Sequence, residues 1–130
     1  MPNLPLNPLP LGQLTVATPG TPIGFTSNCQ TFYGQPFYLT DPTGKLNGPN
    51  DLWAERIYIR ANPNNAGNVY IGYAGMNKST GQGVVAVLSK SDPPFALKMA
   101  YGANKLWVGQ FEVDADNASD SIFASAQLWG

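Results

Sequence analysis

An all-β sandwich or jelly-roll-like domain preceded by an extended, proline-rich arm is the fold class that this sequence predicts, on three observations. Its 130 residues include 14 Gly and 12 Pro, which punctuate the chain at short intervals. Between them, apolar residues recur at every second position, the period of a half-buried strand. Nowhere does a helical apolar stripe of useful length appear. Short strands at regular spacing with Gly/Pro/Asn turns are the pattern of sandwiches and jelly rolls.

The arm, residues 1–12, opens as MPNLPLNPLPLG. It lacks the basic n-region of a secretory signal, and its prolines interrupt any apolar helix. It does not read as a strand either, because each proline removes a ladder donor. Pro2, Pro5, Pro8 and Pro10 favour a polyproline-like path, along which Leu4, Leu6, Leu9 and Leu11 face outward without a core of their own. Such a ribbon needs a surface to lie against, which makes these eight residues a candidate interface with another chain.

The domain, residues 13–130, begins with Leu14 and Val16 alternating against Thr15 and Ala17, ended by the Pro19-Gly20 turn. Residues 29–50 form a long excursion with strand-like aromatic pieces at Phe32-Tyr33 and Phe37-Tyr38-Leu39. Turns at Gly34, Pro36 and Asp41–Gly44 leave room there for only a short edge strand or two. The clearest element is DLWAERIYIRANPNNAGNVYIGYAG. Trp53, Glu55, Ile57 and Ile59 share one face, with Arg56, Tyr58 and Arg60 on the other. After the turn residues 62–67, Val69, Ile71 and Tyr73 alternate with Tyr70 and Gly72, so the segment reads as a hairpin. Further strands follow at GVVAVLSKS, at FALKMAY and at KLWVGQFEV, where Trp107, Gly109, Phe111 and Val113 share a face. The last strand, SIFASAQLW, sets Ile122, Ala124, Ala126 and Leu128 against Phe123, Ser125, Gln127 and Trp129.

Charge excludes several function classes. Charged residues are 12% of the chain, about half the usual quarter, and the net charge is −1. Singly scattered basic residues give no nucleic-acid footprint, and no apolar run is long enough for a membrane helix. Low charge instead suits a surface covered in an assembly.

Catalytic chemistry is hard to find. The chain has no histidine, so the commonest general base and metal ligand is missing. Neither a nucleophile elbow nor a phosphate loop is present, and no cofactor is expected. Cys29 has no histidine to activate it and reads as a small apolar residue. Within EVDADNASD, Asp114, Asp116 and Asp120 match the start of a calcium loop, but its sixth position is Ser119 rather than Gly and its twelfth is Ser125 rather than Glu. A solvated hairpin tip is the better reading. The sequons at Asn77 and Asn117 read as chance matches. The aromatics Trp53, Tyr58, Tyr70, Tyr73 and Trp107 fit core and subunit packing better than a sugar platform. Trp129, one residue from the end of the sequence, is a candidate subunit interface.

Three stretches, GQLTVATPGTPIGFTSN, IYIRANPNNAGNVYIGYAGM and LWVGQFEVDADNASDSIFASAQLW, resemble small all-β virion proteins of tailed bacteriophages. The likeness centres on Ile57, Ile59, Ala61, Pro63, Asn65, Gly67, Val69, Tyr70, Ile71 and Gly72, and on the LWV strand with its acidic turn. The proline arm and the aromatic stretch 29–50 depart from that pattern. The resemblance implies a non-enzymatic cement or decoration protein, made in the host cytoplasm and carried on the outer capsid surface. It also implies two partners: the major capsid protein and the chain itself, as a homotrimer. A receptor- or carbohydrate-binding module of the head or tail is the alternative.

Overall fold

Two antiparallel sheets, of five and four strands, enclose one apolar core. The computed structural model describes residues 8–25, 31–32, 35–36, 53–98 and 106–128, with the backbone alone at 8–10, 31–32, 35–36, 53 and 128. In chain order the strands are β1 (Pro8–Thr15), β2 (Ile23–Gly24), β3 (Thr31–Phe32), β4 (Gln35–Pro36), β5 (Trp53–Ala61) and β6 (Val69–Asn77). They continue as β7 (Gln82–Leu88), β8 (Phe95–Lys98), β9 (Leu106–Trp107), β10 (Phe111–Ala115) and β11 (Ser121–Leu128), with a 3-10 turn at Val108–Gln110. The first sheet runs β1-β11-β5-β8, with β9 also on β5, and the second runs β2-β10-β6-β7. Strands β3 and β4 form a separate ribbon inside the aromatic excursion. The all-β sandwich expected from the sequence is thus the observed architecture. No helix among the described residues is long and apolar enough to cross a membrane.

Alternation builds the core. Ile57 and Ile59 on β5, Ile122 and Ala126 on β11, Val69 and Ile71 on β6, and Phe111 and Val113 on β10 are all buried, while Arg56, Tyr58, Arg60 and Phe123 point out. Burial of each large aliphatic or aromatic side chain contributes about 1.5–3 kcal/mol.

The structure corrects the sequence reading in three places. First, β5 and β6 are not a hairpin: they belong to opposite sheets, and residues 62–68 arch across the sandwich. Strands β10 and β11 make the same switch, so the acidic segment 116–120 is a second arch rather than a hairpin tip. Alternation is identical for both connections, since each strand buries one face either way.

Second, residues 8–12 are not a free polyproline ribbon but the first part of β1, which continues without a break across the expected arm–domain boundary. Pro8, Leu9 and Pro10 pair with Gln127, Ala126 and Ser125. Strand β1 is an edge, the one place in a sheet where proline is tolerated, and both prolines have the same parity, so their nitrogens can share the open side. Leu11 is the extra residue of a bulge between Pro10 and Gly12, and Gly12 has φ 86°. That bulge turns Leu11 inward together with Leu14, three residues on, and both are fully buried. Leu11 is therefore a core residue of its own domain rather than an outward-facing one.

Third, a bulge in β5 skips Glu55, as partners step from Arg56↔Gln127 to Ala54↔Leu128, so Ala54 and not Glu55 joins the core. In the KLWVGQFEV segment, the 3-10 turn breaks the face predicted to join Trp107 to Phe111, leaving Trp107 exposed while Phe111 is buried.

Candidate interaction surface

The two arches meet at Ser121, a fully buried residue at the start of β11. The side-chain amide of Asn65 donates to the Ser121 carbonyl at 2.9 Å, and the Ser121 N–H donates back to Asn65 Oδ1 at 2.9 Å. The Ser121 hydroxyl oxygen accepts from Gln13 and Asn62 side chains, each at 3.0 Å. Beside it, the buried Asp120 carboxylate accepts the N–H groups of Ala66 and Gly67, both at 2.8 Å. Asn65 lies inside the motif that carried the family resemblance, yet its pairing with Ser121 joins positions 56 apart and has no local signature.

The remaining acids of this region are engaged as well. Buried Asp114 accepts from the N–H of Gly20 at 3.0 Å and of Ala115 at 2.8 Å. Glu112 accepts from the Gly75 N–H at 3.1 Å. Asp116 accepts the Tyr70 hydroxyl at 2.9 Å and lies 3.9 Å from Lys78, whose ammonium also donates to the Ala115 carbonyl and sits over the Tyr70 ring. Burial first, then the Asp116 hydrogen bond and the charges of Asp116 and Asp114, raise the Tyr70 phenol above its ordinary value. These carboxylates hold backbone amides and a tyrosine rather than converging on a point. Among the described residues no group of three or more His, Cys, Asp or Glu side chains could hold a metal.

Of the residues singled out as an interface, Leu11 lies in the core and Pro8, Leu9 and Pro10 lie in β1. Pro2, Leu4, Pro5, Leu6 and Trp129 are outside the described residues, as is Cys29. The surfaces that the fold does present are the outer faces of its sheets. On the second sheet Val85 and Val87 of β7 are 42% and 48% exposed. Tyr73 is 49% exposed at the end of the core, stacked on Phe111 with ring centroids 5.3 Å apart.

The first sheet's outer face combines aromatic groups with charge. Arg56, Tyr58 and Arg60 of β5 point out, flanked by Ser125, Phe123 and Gln127 of β11 and by Ala96 and Lys98 of β8. Tyr58 and Phe123 are 38% and 40% exposed. With Arg60, Pro94 and Ser125 they line a shallow groove of about 200 Å³, floored by Ile59 and Ala124. The Tyr58 hydroxyl donates to Gln127 Oε1 at 3.4 Å. Sequence alternation placed Arg56, Tyr58 and Arg60 together. Phe123 and Pro94 joined them only through the order β11-β5-β8.

Compared with known proteins, the chain matches no family model, no curated protein and no solved structure. The fold and this surface define a class: an all-β sandwich whose exposed aromatic and aliphatic groups are laid out on flat sheet faces.

Proposed function

We propose that the chain is a structural virion protein, a cement or decoration protein that binds the outer capsid surface as a homotrimer and bridges neighbouring major capsid subunits. It performs no catalysis and binds neither nucleic acid nor membrane. One observation carries the reading: flat outer faces expose Tyr58, Phe123, Val85 and Val87, while the carboxylates of the second arch are occupied with backbone amides and Tyr70. Flat faces with exposed aromatic groups suit protein docking more than turnover of a small substrate. The family resemblance of the 57–72 segment points the same way, and repetition over a shell turns weak single contacts into firm attachment.

Deleting residues 2–7, which precede β1, tests the arm without touching the sheet. Full-length protein added to capsids lacking it is expected to co-sediment with them and to raise their melting temperature. The shortened protein is expected to do neither. If the full-length protein leaves the shells unbound and their melting unchanged, the cement reading fails. A carbohydrate-binding module is the second reading, favoured by the Tyr58–Phe123 groove beside Arg60. Glycan-array binding that survives deletion of 2–7 and is lost in Tyr58→Ala would support it.

A further inference from the structure

We infer that the outer face of the β1-β11-β5-β8 sheet docks an extended acidic peptide segment of a partner protein, with carboxylates spaced four residues apart. The inference takes from the proposed function only that the chain works by docking to protein. Its basis is a charge asymmetry that the net charge of −1 conceals. Of the described cations Arg56, Arg60, Lys78, Lys90 and Lys98, three are exposed on this one face. Outside the β5 bulge, where Glu55 sits half-buried beside Arg56 without forming an ion pair among the described residues, its other outward residues, Gln13, Thr15, Phe123, Ser125, Gln127, Tyr58 and Ala96, carry no charge. Of the described acids, Glu112, Asp114, Asp116 and Asp120 lie on β10 or the arch that follows it, Asp92 lies between β7 and β8, and Glu55 is the one acid in the described strands of this sheet.

Strand register sharpens the point. Arg56 stands directly opposite Lys98, a like-charge pair that costs stability unless an anion is shared between them. Among the described residues none of Arg56, Arg60 and Lys98 takes part in an ion pair. Arg60 borders the groove walled by Tyr58, Phe123 and Pro94, where the ring edges limit water around a bound carboxylate and strengthen its pairing with the guanidinium. Arg56 and Arg60 are four residues apart on one strand, about 13 Å at 3.3 Å per residue. An extended peptide repeats that distance between side chains at i and i+4, which share a face. At i and i+3 they fall on opposite faces. Three cations on a flat face are too few for a polyanion track, which favours a protein segment over nucleic acid.

The test uses the full-length chain, isotope-labelled for NMR, and two heptapeptides of identical composition, each with two glutamates and neutral residues elsewhere. In one the glutamates are four residues apart, in the other three. The four-spaced peptide is expected to shift the resonances of Arg56, Tyr58, Arg60 and Phe123 and to bind about three- to five-fold more tightly, the worth of one exposed ion pair. Arg60→Glu, an exposed change checked for an unaltered spectrum elsewhere, is expected to abolish that preference. Equal binding of the two peptides, no binding, or shifts confined to another face overturns the inference. So does tighter binding of a thymidine oligonucleotide or a heparin fragment, which would assign the face to nucleic acid or acidic glycan. No capsid enters this assay, so its failure leaves the cement reading standing, and failure of capsid binding leaves the peptide result intact.

Discussion

Asn65 and Ser121 show how a single pair of residues can hold the two sheets in register. Both are buried, and they exchange two hydrogen bonds of 2.9 Å each. Asn65→Ala removes both and orphans the Ser121 backbone, so we expect a loss of about 2–4 kcal/mol in chemical denaturation. Leu11→Ala tests the other correction. If Leu11 belonged to an arm on a foreign surface, the isolated protein would not notice its truncation. As a fully buried core residue it is expected to cost about 2–5 kcal/mol.

At the scale of elements, the β1 edge and the folded-back β6–β7 hairpin each carry a prediction. Deleting residues 2–11 removes Pro8 to Leu11 from β1 and uncovers part of β11, so the melting temperature should fall sharply. Deleting 2–7 leaves β1 whole. On the second sheet, Lys78 from the tip of the β6–β7 hairpin reaches back to Asp116 and Tyr70. The folded-state phenol of Tyr70 is raised above 10.0, so the fold favours its protonated form. That contribution to stability is complete below pH 10.0 and is lost as the pH rises through the raised value. Ultraviolet titration of the protein against Tyr70→Phe should show that the Tyr70 phenol ionises above its ordinary value. Asp116→Asn should bring it part of the way down, because burial, the largest cause, remains.

For the whole molecule, the homotrimer is the checkable expectation. Native mass spectrometry of full-length and 2–7-deleted protein should give three chains in each if the sandwich itself trimerises. Trimer in the first and monomer in the second would assign the contact to the arm. Salt offers an independent reading of the cationic face. Contacts made through Arg56, Arg60 and Lys98 should weaken as ionic strength rises, whereas contacts through Val85 and Val87 should not.

Period-two alternation in 57–60, 69–71 and 122–127 was enough to establish the all-β class and most of the core, because a strand in a sandwich buries every second side chain wherever it pairs. It also separated Arg56, Tyr58 and Arg60 from Ile57 and Ile59, which made half of the candidate surface legible. Which strand lies beside which was decided only in three dimensions. A six-residue Asn-Pro-Asn-Asn-Ala-Gly turn serves a hairpin or an arch equally well, and the choice rests on Asn65, Asp120 and Ser121 meeting across the sandwich. Bulges at Leu11 and Glu55 likewise have no local signature strong enough to announce them, yet each reverses which side chains face inward. The sequence by itself determined the kind of layer this chain builds. Tertiary pairing decided the strand order, and with it the meeting of Phe123, Pro94 and Lys98 with the arginines of β5.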